Sequence, residues 1–200
     1  MMRRVCLLFV VFLIATSCYG GKPTQLKKKV VRQNKSVQKK VSLKKINALK
    51  KKVVRRAMKK ITFSGFDLNT DEKIVAMTII AEAKGEGLLG MYGVACVAKQ
   101  RMLNRKMIPS DVCLQWKQFS CWNNWNDKNS AKLAQLTLKD VPQSTIDYAI
   151  LLSRWLVSGG DFDRSFIGYS DHYCRTDISP DWAKGVSPLA VVGNHKYYDL

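Results

Sequence analysis

Histidine is scarce in this chain, two in 200 residues, and neither His172 nor His195 stands at metal-ligand spacing with Cys96, Cys113, Cys121 or Cys174. Zinc sites draw their ligands from closely spaced pairs, so no metal is expected. A calcium loop is excluded as well. Asp67, Asn69 and Asp71 imitate the opening of one, but the central glycine and the closing glutamate are missing. No cofactor is expected.

Long apolar runs are also lacking. The stretch Val5 to Ala15 covers 11 residues, where a helix needs about 20 to span a bilayer. It follows Arg3 and Arg4 and precedes the small residues Ala15, Thr16 and Ser17, the three parts of a signal peptide. Residues 1–20 are therefore read as a signal peptide, and the protein as exported to the periplasm or cell envelope. Cys18 leaves two readings open, a lipid attached at that cysteine or ordinary cleavage after Ser17 or Gly20.

Acidic residues are missing from the whole N-terminal part. Lys22 to Lys60 holds 14 Lys and 3 Arg with no Asp or Glu, whereas from residue 61 onward 15 basic residues face all 15 acidic ones. The net charge of +19 thus belongs to a segment, not to a domain. Residues 21–62 are read as a basic Lys-rich linker or amphipathic segment, with Leu26, Val30, Val37, Val41, Ile46, Leu49, Val53 and Ala57 often four or seven apart. Each Lys or Arg near an anionic surface contributes on the order of 1 kcal/mol at low screening, so the segment is expected to bind anionic envelope polymers or a lipid surface. Nucleic acid is not the expected partner, because the segment has no Phe, Tyr or Trp on which bases stack.

Residues 63–200 carry the pattern of a mostly helical α+β domain with a small C-terminal β element. Asn69 with Glu72 three residues on, ahead of Ile74, Val75, Met77 and Ile79, predicts a capped helix start, ending near Gly85. Leu88 to Asn104 predicts a second helix, with Met91, Val94, Ala95, Ala98 and Met102 on one stripe. Ser110 and Asp111 are expected to cap a short third. Residues 115–130, dense in Trp, Asn, Gln and Ser, predict an irregular aromatic loop. Pro142 is expected at the first position of a further helix that runs to Gly159-Gly160. Ser165 to Tyr173 and Leu189 to Tyr198 predict β pieces. Export permits disulfides, and four cysteines allow three full pairings; Cys96, among Val94, Ala95, Val97 and Ala98, reads as a core thiol.

Val75, Ile79, Glu82 and Glu86 fall at spacings of 4, 3 and 4, which places Glu82 on the apolar stripe of the first helix. Burial disfavours a carboxylate and raises its pKa, the property a general acid needs near neutral pH. Glu86 is a supporting candidate, since Gly85 and Gly87 interrupt the helix around it.

Ile80-Ala81-Glu82-Ala83-Lys84-Gly85-Glu86-Gly87, with Gly90, Val94 and Asn104, resembles the opening of the spore-cortex-lytic type of cell wall hydrolase. Gln118-Phe119-Ser120-Cys121-Trp122-Asn123 is similar to the centre of that family's pattern. His172-Tyr173, Pro180-Asp181-Trp182-Ala183 and Val192-Gly193-Asn194-His195-Lys196-Tyr197-Tyr198 resemble its closing blocks. The resemblance implies a lysozyme-like domain acting on the glycan strands of peptidoglycan, with Glu82 as catalytic acid. Three departures stand out: Lys84 replaces Arg, Trp116-Lys117 replaces Pro-Gly, and Cys174 follows Tyr173 where a second histidine is common.

Within this frame Gln118, Ser120, Asn123 and Asn194 are candidate partners for sugar hydroxyls and acetamido groups. Trp122, Trp125, Trp182 and Tyr197 are candidate flat faces for sugar rings. His172, Tyr173 and His195 complete the substrate-binding set. The expected reaction is lytic transglycosylase-like or muramidase-like cleavage. The alternatives are an N-acetylmuramoyl-L-alanine amidase, which calls for a metal or a nucleophile with its base, a non-catalytic wall-binding protein, and a secreted basic nucleic-acid binder.

Overall fold

The computed structural model describes residues 44–45, 47–123 and 138–200. The expected signal peptide, Cys18, the basic segment before residue 44 and Trp125 lie outside the described residues. Ser42–Leu200 is a single unit.

Residues 47–58 form helix α1, so the core begins inside the Lys-rich stretch. Val54 and Met58 are fully buried, four residues apart on one face. Two of the charges on the helix find acids elsewhere: Arg55 pairs with Asp71 at 2.6 Å and also donates to Ser110 at 2.8 Å, and Lys51 pairs with Asp111 at 3.0 Å.

Helix α2, Thr70–Ala83, starts on the predicted capping box, with the Asn69 side chain accepting from the Asp71 and Glu72 amides and Glu72 reaching back to the Asn69 amide. Its middle is buried on every side. Ile74, Val75, Ala76, Met77, Thr78, Ile79 and Ile80 are all inside, and full burial of each large aliphatic contributes about 1.5–3 kcal/mol. The single inward stripe read from sequence is thus replaced by an all-round apolar segment, because helices α3 (Gly87–Arg105), α4 (Pro109–Cys113) and α5 (Gln143–Val157) all pack on α2. The helix ends at Ala83, so Glu86 does not continue it and instead occupies the N-cap position of α3. Gly90 is needed there, since a Cβ would lie 2.2 Å from the Glu86 Cβ.

Two helix starts differ from expectation by a residue or two. Pro109, not Ser110 or Asp111, opens α4, its missing N–H costing nothing in the first turn, and Ser110 is buried under Arg55 instead. Pro142 is the N-cap of α5 rather than its first helical residue. Residues 115–119 are irregular, as expected, and Ser120–Trp122 make a short 3-10 turn.

The β element is smaller than the sequence suggests. Arg164–Ile167 is a 3-10 turn, capped by Asp163 accepting from the Ser165 amide, and not a strand. The sheet comprises β1 (His172–Arg175), β2 (Ala190–Val192) and β3 (His195–Tyr198), antiparallel in the order β1-β3-β2. The β2–β3 hairpin turns on Gly193 and Asn194, with Val192 opposite His195. Gly193 has φ 56, which suits the right-handed twist of a two-residue hairpin, and a Cβ there would strike the Glu86 carboxylate at 2.7 Å. The molecule is α+β, as expected. The four described cysteines are free thiols, with Cys96 buried in the core. Among the described residues no helix is long and apolar enough to cross a membrane.

Candidate active site

A cleft of about 410 Å³ opens between the C-terminal end of α2, residues 117–123 and the sheet. Glu82 projects into it from the last turn of α2. Thr78 lies one turn earlier on the same face, and this pair fixes how the 3-10 turn sits. The Trp122 indole donates to Thr78 Oγ1 at 2.9 Å, and Thr78 in turn donates to the Ile74 carbonyl at 2.7 Å. With Trp122 locked below, the residues just before it arch over Glu82. Ser120 Oγ donates to Glu82 Oε1 at 3.0 Å and the Cys121 amide donates to the same oxygen at 2.9 Å. The other oxygen, Oε2, accepts from the Tyr173 hydroxyl of β1 at 2.8 Å.

The apolar pocket expected around Glu82 is therefore a cradle of three donors. The helix end brings the carboxyl to a polar cleft rather than into the core, and it is only partly buried. Tyr173 remains a donor throughout the working range, since burial, and after it the charge of Glu82, push its phenol well above the usual value. Burial first and Glu82 second likewise push the Cys121 thiol well up, which disqualifies it as a thiolate nucleophile.

Arg101 holds the far side together. It is 2% exposed, donates from Nε to the Asp171 carbonyl at 2.6 Å and from Nη1 to the Gln118 carbonyl at 3.0 Å, and lies over the Phe119 ring at 4.8 Å. Arg105 donates to Gln118 Oε1 at 2.9 Å. Asn104 reaches Asp171 Oδ2 at 3.4 Å. The end of α3 thereby ties the 118–120 loop to the residue that precedes β1.

Of the residues singled out in the sequence, Glu82, Gln118, Ser120, Asn123, Tyr173, Trp182 and His195 line this one cleft. Four others do not. Trp122 is 1% exposed, so its face serves the core and not a sugar. Tyr197, fully buried against Gly93, is also a core residue. His172 hydrogen-bonds Asp171 through Nδ1 at 2.5 Å and packs on Trp182 at 5.4 Å, which places it behind the cleft wall. Asn194 is bound to Glu86: its amide donates to Oε2 at 2.7 Å and its side chain to Oε1 at 3.3 Å. That anchored carboxyl is held below its ordinary value, chiefly by the Asn194 amide, and clamps the hairpin to the start of α3. His195 is buried, its ring 4.9 Å from that of Tyr173, and burial lowers its pKa, so it is a neutral imidazole at neutral pH.

Arg175 and Arg101 escaped the sequence reading, and Lys117 entered it only as part of the departure from Pro-Gly, with no place in the site. Arg101 had a signal: with Val94 and Ala98 at spacings of 4 and 3 it is a basic residue on an apolar stripe. Arg175 had none, because a charged residue in a short polar segment reads as ordinary solvated surface. Among the described residues no three His, Cys, Asp or Glu side chains converge as a metal site would require.

Neither the curated proteins nor the solved structures provide a match to this chain. A protein-family model described as Cell Wall Hydrolase matches residues 85–198. The match takes in Glu86, the arched loop, Tyr173 and the hairpin, and begins three residues after Glu82. Spanning more than half of the chain, it establishes that the protein belongs to the cell wall hydrolase family, for which peptidoglycan is the implied substrate.

Proposed function

We propose that the protein cleaves the glycan strands of peptidoglycan with Glu82 as its single acid-base residue. The observation that carries this reading is that Glu82 is the one carboxylate among the described residues lining the cleft, oriented by three donors from two separate elements. A lone, positioned carboxyl group suits glycoside cleavage of the kind in which one residue acts twice. In its acid form Glu82 gives its proton to the bridging oxygen as the carbon–oxygen bond breaks, and an oxocarbenium-like centre develops. The carboxylate then takes a proton from the hydroxyl that attacks that centre. When the hydroxyl is the sugar's own, the product is an anhydro end and the enzyme a lytic transglycosylase; when it is water, a reducing end forms, as with a muramidase.

The donors Gln118, Ser120 and Asn123 and the exposed face of Trp182 are assigned to sugar hydroxyls, acetamido groups and ring stacking. Neutral His195, beneath Tyr173, keeps that phenol against Glu82. Glu86 is engaged by Asn194 and does not line the cleft, and we assign it to positioning the hairpin. Export to the envelope, with the basic segment as a salt-sensitive tether to anionic polymers or lipid, is part of the same proposal.

Mass analysis of fragments released from purified sacculi tests it. Glycan fragments with intact peptide links are expected, ending in anhydro or reducing sugars. Release of free peptides from uncut strands would instead establish an amidase.

A further inference from the structure

Lys117 lines the cleft with its backbone at φ 60, a left-handed conformation that glycine adopts freely and a lysine does not. Such a conformation persists only where the surroundings fix it. Here they do. On one side Trp116 lies under the Lys50 ammonium at 5.8 Å. On the other, Gln118 is held through its carbonyl by Arg101 and through its side chain by Arg105. Lys117 itself is exposed, and among the described residues it has no acidic partner.

Across the cleft stands a second cation, Arg175, whose charge is partly spoken for by Asp177 at 2.8 Å. Two cations and one carboxylate therefore line a cleft meant for a polymer, and the carboxylate is already engaged by three donors. A neutral aminosugar chain offers an unpaired ammonium nothing but dipoles. A strand with carboxylates beside its sugars offers it an ion pair.

We infer that Lys117, supported by Arg175, is a specificity-determining residue that selects glycan strands bearing a carboxylate next to the scissile bond. This rests on the function proposed above and narrows its substrate class. The carboxylate comes either from the peptide stem or from the bare lactyl group of a strand that has lost its stem. Lys106 is also left-handed, at φ 50, but as the exposed cap of α3; Lys117 differs in that its held backbone presents the cation to the cleft that Glu82 lines.

The test compares full-length wild type, Lys117→Gly, Lys117→Met and Lys117→Arg on soluble glycan fragments in two forms, native and with all carboxylates amidated. The basic segment is common to every protein, so its own attraction for anionic glycan cancels in the comparison. The KM ratio between the amidated and native forms is expected to be about fivefold larger for wild type and Lys117→Arg than for Lys117→Gly and Lys117→Met, as for a solvent-screened ion pair, with kcat little changed. Lys117→Gly guards against misfolding, since it frees the backbone and is expected to melt no lower than wild type. Fragments stripped of their stems, in which the lactyl carboxylate is freed, assign the source: a KM like the native form shows that the lactyl carboxylate serves as well as the stem's, and one like the amidated form shows that only the stem's carboxylates serve, either result upholding the selection. The same KM ratio in wild type and Lys117→Gly would overturn the inference and leave glycan cleavage standing. If wild type releases nothing, glycan cleavage fails instead, and the ratio of Kd values for the two fragment forms then decides the role of Lys117 by the same criterion.

Discussion

On one side of the cleft Glu82 rides on α2, whose identity as a helix is written into 14 consecutive residues. On the other side its three hydrogen-bond partners come from 38, 39 and 91 residues away. The first wall forms from local cause, a capping box and an apolar run. The second exists only when α3, the arched loop and the sheet have met, and its geometry is held by Arg101, Trp122 and the Glu86–Asn194 clamp. The role proposed for Glu82 needs both: the helix sets where the carboxyl lies, and the remote wall sets which way its oxygens point.

Substitutions at the remote wall separate the two contributions. Arg101→Met should be the most damaging to the fold. It strands the carbonyls of Asp171 and Gln118 inside the protein, and a loss of about 2–3 kcal/mol in denaturant unfolding is expected, with α2 itself preserved by circular dichroism. Tyr173→Phe keeps the ring and removes one donor from Glu82. A fall of about tenfold in kcat with little change in KM is expected, the loss of one hydrogen bond to a charged group. Trp122→Phe severs the link to Thr78 while retaining most of the buried area. About 1 kcal/mol of stability should go, seen as a Tm lower by about 2–4 °C.

The Glu86 clamp gives the smallest effect and the one that depends on pH. Its carboxyl is depressed below the usual 4.5, so its contribution is complete above that value and is lost as pH falls through the lower value it has in the folded protein. Wild type should therefore melt slightly above Glu86→Gln at pH 6, by less than about 1 kcal/mol for so accessible a group, and the two curves should converge on acidification. A gap that widened toward low pH would show that the clamp does not hold an ionised carboxyl.

The same contrast explains what was legible beforehand. The capping box of α2, the span of α3 and the helix after Pro142 depend on neighbours in sequence, and they appear close to where the residue pattern put them. Seven of the expected site residues share one cleft because their blocks are brought together by contacts such as Asn104–Asp171 and Arg105–Gln118, which no spacing rule reveals. Trp122 and Tyr197 were read as sugar faces because an aromatic residue in a polar loop or hairpin has the same local signature whether it points out or in; burial decided, and burial is a tertiary property. The stretch from Ser165 to Ser170 was expected to be strand, but Asp163 caps a 3-10 turn there and Gly168 closes it at φ 62. The core's reach into the Lys-rich segment was masked by charge: Val54 and Met58 are two apolar residues among many lysines, and their burial, with the pairing of Arg55 and Lys51 to Asp71 and Asp111, makes that helix part of the fold.

The central claim is that the carboxyl at position 82 performs the cleavage. Soluble glycan released from purified peptidoglycan should be measured for wild type and Glu82→Gln at matched, verified folding. The account predicts a fall of about 10²–10⁴-fold with an unchanged Tm; equal release by the two proteins would contradict it.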